Sequence, residues 1–157
     1  MRCARRSRWS AEAGLAAGAE ALVVGVLVFV VGTLVAVTTW AAIDTRFATA
    51  AAAREGARAA ATTPPGEGPL AAAEAAVVAA LEGHGLDPGR AELELHGPVG
   101  ASLERCQEVS VTVTYRLDAV RIPVIDVTAL GLDVNGRHTE VVDPFRSGLA
   151  VGGSCAF

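Results

Sequence analysis

The longest apolar stretch of the chain lies near its N-terminus. From Ala21 to Ile43 there are 23 consecutive residues without a charged side chain. At about 1.5 Å per residue, a helix of this length covers roughly 35 Å, more than a hydrocarbon core of about 30 Å. The stretch is longer than the apolar region of a cleavable signal peptide, which is about 7–15 residues. The pattern predicts an uncleaved transmembrane helix over residues 15–43.

The helical pattern continues beyond the apolar stretch. Residues 44–61 are rich in Ala and contain no strong stop signal, so we expect a single helix from about Gly14 to Ala61. Residues 62–69, TTPPGEGP, then contain adjacent prolines and two glycines that end any helix. The sequence therefore predicts a helix extension over 44–61 and a linker over 62–69.

Residues 70–157 change from helical to strand-like patterning. Residues 70–82 are an Ala-rich segment ended by glycines, which predicts a second helix. Residues 91–96 and 108–115 alternate between apolar and polar side chains, which is typical of half-buried strands. We predict a small antiparallel sheet covered by the second helix and by the outer end of the long helix, and hence an α+β fold.

The last predicted strands are less regular. Residues 120–124 are a short extended piece in which Pro123 favours a sheet edge. Residues 127–142 read as another strand, but Asn135-Gly136 inside it is a turn signal.

Charge is distributed unevenly along the chain. The formal net charge is −4, there is no Lys, and residues 46–157 contain nine Arg against fourteen acidic residues. An acidic chain without Lys is unsuited to neutralising phosphates, so we expect no nucleic-acid partner. Four basic residues precede the apolar stretch, and the positive-inside rule places the N-terminus in the cytoplasm and the C-terminus outside. They are Arg2, Arg5, Arg6 and Arg8.

Small residues form a stripe along the predicted membrane helix. At 100° per residue, its glycines fall within about 40° of one another. A side-chain-poor stripe lets another helix approach closely in lipid, although Ala and Gly are common enough here to align by chance. The predicted packing residues are Gly14, Gly18, Ala21, Gly25, Gly32 and Ala36.

Glu20 is the acidic residue at the start of the apolar stretch. A carboxylate at this depth is costly unless it reaches the interface, is protonated or pairs with a cation. Two interpretations remain open. Glu20 is either a tolerated interfacial residue or an intramembrane charge that docks against a neighbouring subunit.

The cysteines suggest a covalent link. Cys3 lies on the predicted cytoplasmic side, whereas Cys106 and Cys155 both lie on the predicted outer side, where disulfides persist. We predict a Cys106–Cys155 disulfide, with two unpaired thiols as the alternative.

Chemistry-bearing residues cluster near the C-terminus, in HTEVVDPFRSGL. His138, Glu140, Asp143 and Arg146 could in principle form an acid–base site. The simpler interpretation is a strand end followed by an Asp-Pro turn, with Arg146 pairing locally. Since no metal-ligand spacing, nucleophile motif or phosphate-binding glycine loop is present, we expect neither an enzyme nor a cofactor or metal site.

Several of these features together resemble the TadE-like proteins of tight-adherence pilus systems, in their high-GC Gram-positive branch. They are the basic tail, the early Glu20 of the hydrophobic helix, AAAREGARAAA at 51–61, the β-rich outer part and HTEVVDPFRSGL at 138–149. Cys106 and Cys155 stand where the paired cysteines of that branch would be.

The resemblance implies a pseudopilin-like plasma-membrane protein that assembles or anchors a surface pilus or secretion apparatus, with the bilayer, other pilus components or itself as partners. It also implies a prepilin peptidase that cuts after a glycine and leaves Glu at the fifth mature position. A cut after Gly14 would instead make Glu20 the sixth residue. The alternative function is a membrane-anchored extracytoplasmic binding or sensing module.

Overall fold

The computed structural model describes residues 9–97, 103–118, 121–122, 127–128 and 131–150, and of residues 9–19, 121–122 and 127–128 the backbone alone. The chain divides into an N-terminal unit, Met1–Trp40, and a C-terminal unit, Ala41–Phe157. One helix, α1, runs from Trp9 to Thr62 and contributes to both units. The prediction of a single long helix is therefore confirmed, and α1 begins about one turn earlier than expected.

The linker and the second helix lie where the Pro, Gly and Ala content of the sequence predicts them. α1 ends at Thr62, and α2 begins at Pro69, a residue whose fixed backbone angle and missing N–H suit the first turn of a helix. α2 ends at Gly83. Its buried residues recur every fourth position and form a single stripe facing the core: Pro69, Ala73, Val77 and Leu81. A short 3₁₀ turn, Pro88–Arg90, leads into the sheet.

Three strands form the main sheet: β1 is Ala91–His96, β2 is Glu108–Asp118 and β5 is Gly131–Val141. They are antiparallel and lie in the order β1–β2–β5. Two short strands, β3 at Arg121–Ile122 and β4 at Val127–Thr128, follow β2 and precede β5 along the chain. They pair with each other and form a separate two-stranded sheet. The described elements bear out the predicted α+β class.

Alternation along β2 decides which face of the sheet is buried. Its odd-numbered residues from Val109 to Tyr115 are buried, and Leu93 and Leu95 of β1 lie opposite Val113 and Val111 on the same face. This face packs against α2 and against the outer half of α1, so both predicted covers are confirmed.

The buried stripe of α1 consists of small residues. Its positions recur at the three- and four-residue spacing of one helix face, and most are fully buried. Because these side chains are short, the α1 backbone lies close to the sheet and to α2. The stripe comprises Thr45, Ala48, Thr49, Ala52, Ala53, Gly56, Ala57, Ala60 and Ala61.

Asn135-Gly136 is not a turn. β5 runs through both residues without interruption, and Gly136 pairs with Val113 of β2. A Cβ atom at Gly136 would lie 2.6 Å from the backbone of Thr49 and Ala50. The glycine therefore serves the close crossing of α1 over β5, and the sequence signal was misleading because Asn-Gly also occurs where a backbone must approach.

Candidate functional site

The first candidate site is the lateral surface of α1 in the N-terminal unit. From Glu20 to Val37 every described side chain is exposed, including large ones such as Leu22, Phe29 at 74% and Val35. Within the described ranges, α1 is a helix long and apolar enough to cross a membrane. An uninterrupted apolar surface of this size on a water-soluble unit would be unfavourable, since burying apolar area is worth about 25 cal/mol per Å².

Hydroxyl groups on this surface are satisfied within the helix. The side chain of Thr33 donates to the Phe29 carbonyl at 2.8 Å, and that of Thr39 donates to the Val35 carbonyl at 2.8 Å. Thr38 bonds to the Leu34 carbonyl in the same way. These local bonds reduce the free-energy cost of placing a hydroxyl group in hydrocarbon, where no water is present to accept a hydrogen bond from it.

The small-residue stripe lies open on this surface. A Cβ atom added at Gly25 or at Gly32 would meet nothing within 4 Å. Ala21 and Ala36 are exposed, and Gly14 and Gly18 lie in α1, described by their backbone alone. Glu20 is exposed as well. From Ala21 to Ala36, the described part of the stripe is sterically free to receive another helix.

Several predictions concern the basic tail, whose residues the structure does not describe. Arg2, Arg5, Arg6 and Arg8 lie outside the described residues, as does Cys3. The positive-inside role of the tail and processing after Gly14 stay predictions.

The C-terminal motif forms a clamp on the end of α1. The guanidinium of Arg146 donates from Nη1 to the Ala61 carbonyl at 2.7 Å, and from Nη2 to the Thr62 and Thr63 carbonyls at 2.7 and 2.5 Å. The last carbonyls of a helix have no partner within it, and a cation there also complements the helix dipole. We call this set of contacts, made by Arg146 to residues 61–63, the Arg146 clamp.

Asp143 shapes the turn that presents Arg146. Its carboxylate accepts a hydrogen bond from the Phe145 N–H at 2.8 Å, and its carbonyl accepts one from the Arg146 N–H at 3.3 Å. The expected Asp-Pro turn is therefore present after β5. Arg146, however, bonds across more than 80 residues of sequence rather than locally.

His138 and Glu140 lie on the same face of β5, the face that α1 and α2 pack against. Their Nε2 and Oε2 atoms are 3.3 Å apart. Glu140, Asp143 and Arg146 line an open groove of about 410 Å³ together with Arg58, Ala61, Thr62 and Val141. His138 is not part of this lining, so the groove does not bring all four residues of the motif together.

Cys106 takes part in a disulfide. It has a positive φ of 62° and its N–H donates to the Val142 carbonyl at 3.0 Å, which fixes it at the start of β2. Next to it, the Arg105 N–H donates to the Ala150 carbonyl at 3.2 Å, and Glu104 and Ala150 form a parallel bridge. The chain thus returns to Cys106 a few residues before Cys155, which itself lies outside the described residues; the pairing stays a prediction.

The sequence reading missed the residues on which the C-terminal unit depends most. Gly56 is one: a Cβ atom there would lie 2.7 Å from Cγ2 of Val77 and 3.3 Å from Cγ1 of Val111. Gly136 is another. The signal in the sequence is the recurrence of Ala, Gly and Thr at helical spacing over 45–61, which predicts a closely packed helix face.

In comparisons with protein-family models, curated proteins and solved structures, nothing matches this chain.

Proposed function

We propose that this protein is a single-pass, TadE-like component of the plasma membrane that helps to assemble or anchor a surface pilus or secretion apparatus. It acts through helix packing rather than catalysis. The observation that supports the proposal is that one helix has two different surfaces along its length. An exposed apolar half carries an open small-residue stripe, and a second half is built into a folded α+β unit.

Membrane anchorage follows from the exposed half of α1. The apolar side chains from Leu22 to Ile43 find partners in lipid tails, and the threonine hydroxyls are already satisfied within the helix. The four Arg of the tail favour an N-terminus inside and hence a C-terminal unit outside the membrane. An oxidising outer compartment suits the disulfide at Cys106.

Assembly through the membrane follows from the open stripe. Helices associate in lipid through close van der Waals packing, and small residues permit the closest approach. The partner is another transmembrane helix, either of a second copy or of another component of the apparatus. Glu20 lies at the inner end of the same stretch, on a different face of the helix from the stripe, and a cation of a further neighbouring subunit would neutralise it there.

Substitution within the stripe tests the proposal. Gly25→Leu and Gly32→Leu place a bulky side chain on the open face, and we expect each to reduce co-purification with membrane partners in mild detergent. The matched control is Thr33→Leu, which adds apolar bulk at the neighbouring exposed position off the stripe. All three variants should insert in the membrane normally. Unchanged association of both glycine variants would contradict the proposal.

The alternative is a membrane-anchored binding or sensing module, which would need a concave apolar pocket in the C-terminal unit. The two described grooves that we find there are lined mainly by polar and charged residues, such as Arg90, Arg116 and Asp133 in one and Arg58 and Glu140 in the other. Neither of these two grooves is the apolar pocket that the module would need. Mass spectrometry of the mature N-terminus then separates a processed filament-like subunit, beginning at Leu15, from an anchored accessory protein that retains the basic tail.

A further inference from the structure

The part of α1 in the C-terminal unit has a row of basic residues on its exposed side. Side chains four positions apart on a helix form a ridge on its surface. One such row is exposed throughout and consists of Arg46, Ala50, Arg54 and Arg58. At 100° per residue, the nearby acidic residues Asp44 and Glu55 lie about 100° or more around the helix from the middle of this row. We call the row the basic ridge.

α2 has a row with the same spacing and the opposite charge. Its members are exposed and are Leu70, Glu74, Val78 and Glu82. α2 contains no basic residue, so nothing on this helix offsets the two carboxylates. At about 1.5 Å per residue, this row and the basic ridge are both roughly 18 Å long. We call the row on α2 the acidic ridge.

The charges of the two ridges have no partners in their own chain. Among the described residues, no ion pair or hydrogen bond involves the side chains of the three arginines or of the two glutamates. Like charges four positions apart destabilise a helix, as at Arg54 and Arg58. An anionic surface against the basic ridge would relieve this repulsion.

We propose that the basic ridge of one copy of the chain docks against the acidic ridge of a second copy, and that the contact is made twice in a symmetric dimer. α1 and α2 pack against the same face of the sheet, so both ridges belong to one helical layer and two such layers can meet. Each copy has both ridges, so symmetry repeats the contact and closes the pair. The contact involves the C-terminal unit alone and goes beyond the proposed function.

The centres of the two ridges fit each other. Ala50 leaves a gap between two arginines, and Val78 stands between two glutamates and is 41% exposed. When Val78 of one copy fills the gap at Ala50 of the other, the glutamates come within reach of the arginines that flank the gap. This holds for either direction of the helices, because both rows have the same four-residue spacing. Phe47, beside Ala50 and 72% exposed, adds apolar area to the contact.

A second copy is favoured over an unrelated acidic protein. The acidic ridge of this chain matches the basic ridge in length, in spacing and in the position of its apolar centre. An unrelated partner on the basic ridge would also leave the acidic ridge unneutralised. A reciprocal contact between two copies neutralises both ridges together.

Charge reversal in the full-length chain tests the proposal. The parent protein for all measurements carries Gly25→Leu and Gly32→Leu, so that association through the stripe of the membrane helix does not contribute. Molar mass is measured by light scattering after size exclusion, in mild detergent with micelles in excess over protein. The outcome is therefore separate from that of the proposed function.

Three double variants of this parent are compared. Two charges are reversed together, because a single exposed ion pair contributes little. The control reverses charges that lie on α1 but off the ridge, and it changes the net charge as much as the acidic-ridge variant does. The basic-ridge variant is Arg46→Glu with Arg54→Glu, the acidic-ridge variant is Glu74→Arg with Glu82→Arg, and the control is Asp44→Arg with Glu55→Arg.

We expect the parent and the control to be dimers. Each ridge variant should be a monomer, because like charges then face each other in both contacts. Mixing the two ridge variants should restore a dimer, since each supplies the charge that the other lacks. In a Cys3→Ser background, an Ala50→Cys protein mixed with a Val78→Cys protein should form an intermolecular disulfide. An Ala79→Cys protein, altered on α2 off the ridge, should not.

Four outcomes would overturn the proposal. A monomeric parent would mean that no such dimer forms, and a dimer that survives both reversals would place the contact on another surface. Monomeric ridge variants that do not pair on mixing would show that the acidic ridge is not the partner. Masses that rise beyond a dimer would indicate an open chain of copies instead of a closed pair. If circular dichroism shows that a reversal does not fold, Arg46→Gln with Arg54→Gln replaces it and should weaken the dimer.

Discussion

At the scale of single residues, two glycines and one arginine make the contacts that fix α1 against the rest of the C-terminal unit. Gly136 and Gly56 are the positions at which α1 approaches its neighbours too closely for a side chain, and Arg146 satisfies the carbonyls at its end. None of the three is chemically reactive. The glycines allow close packing and Arg146 supplies hydrogen bonds. Substitution of any of the three should therefore lower the free energy of unfolding rather than change an activity.

We predict that Gly136→Ala destabilises the protein by about 1–3 kcal/mol or more, because the new methyl group would meet the main chain of α1, which cannot move aside as a side chain can. The control is Gly131→Ala at the start of the same strand, where a Cβ atom meets nothing within 4 Å. That change should alter the free energy of unfolding by no more than about 0.5 kcal/mol. Chemical unfolding of the full-length chain in detergent measures both, and equal effects would refute the close crossing.

We predict that Arg146→Ala lowers the free energy of unfolding by about 1.5–3 kcal/mol, the usual range for hydrogen bonds to a charged group. Arg146→Lys should recover only part of this, since an ammonium group lacks the fork that reaches several carbonyls together. Arg54→Ala, on the exposed side of α1, removes the same charge as a control. Hydrogen exchange should also report faster exchange in the last turn of α1 in Arg146→Ala. A loss no greater than that of Arg54→Ala would contradict the clamp.

At the scale of elements, α1 contains two different designs of helix surface. From Leu22 to Trp40 its large apolar side chains are exposed, whereas from Thr45 a stripe of small residues is buried against β2, β5 and α2. Small side chains contribute little apolar area each, but they let backbones approach, so that the backbone of α1 at Gly56 lies close to both Val77 of α2 and Val111 of β2. The packing therefore depends on matched sizes across the contact.

We predict a sign reversal for Gly56→Ala that depends on its partner. In the wild-type protein the added methyl group lies 2.7 Å from Cγ2 of Val77, and the substitution should destabilise. In a Val77→Ala background that atom is absent. Cγ1 of Val111, at 3.3 Å, then has to shift by only a few tenths of an ångström, and the same substitution should stabilise by up to about 1 kcal/mol through helix propensity. A double-mutant cycle from unfolding curves measures the coupling. Additive effects would show that Gly56 and Val77 are not in the proposed contact.

At the scale of the whole molecule, the C-terminal unit is a small sheet with two helical covers and few large apolar residues. Its buried core is mostly Ala and Val, with Tyr115 as its one aromatic among the described residues. A core of this kind yields limited hydrophobic stabilisation, so a covalent link and the Arg146 clamp carry more weight than they would in a larger domain.

We predict that non-reducing peptide mapping finds Cys106 joined to Cys155. The described chain returns beside Cys106 at Ala150, five residues before Cys155 in the sequence. Such a link closes a loop of about 50 residues, and its removal by Cys155→Ser should cost up to roughly 4 kcal/mol in the chain-entropy model. Cys3→Ser should leave stability unchanged. A Cys3–Cys106 peptide would refute the pairing and also the assignment of the two residues to opposite sides of the membrane.

Local periodicity predicted most of the elements. The uncharged run from Ala21 to Ile43, the Pro-Pro break after α1, and the alternation of β1 and β2 are all properties of neighbouring residues. Their outlines could therefore be read before any packing was known. The small residues of 45–61 contained the same kind of information, because their helical spacing marks a packed face.

Contacts between residues distant in sequence escaped prediction. Asn135-Gly136 is a turn signal inside the strand predicted over 127–142, and only the close approach of Thr49 and Ala50 to Gly136 explains why the pair lies inside β5. Arg146 read as a local partner of its own turn, whereas its carbonyl acceptors lie at residues 61–63. A sequence records what each residue prefers beside its neighbours. Folding determines which distant backbone segments come within a few ångströms of a residue. At such positions the tertiary contact outweighs the local preference of the residue.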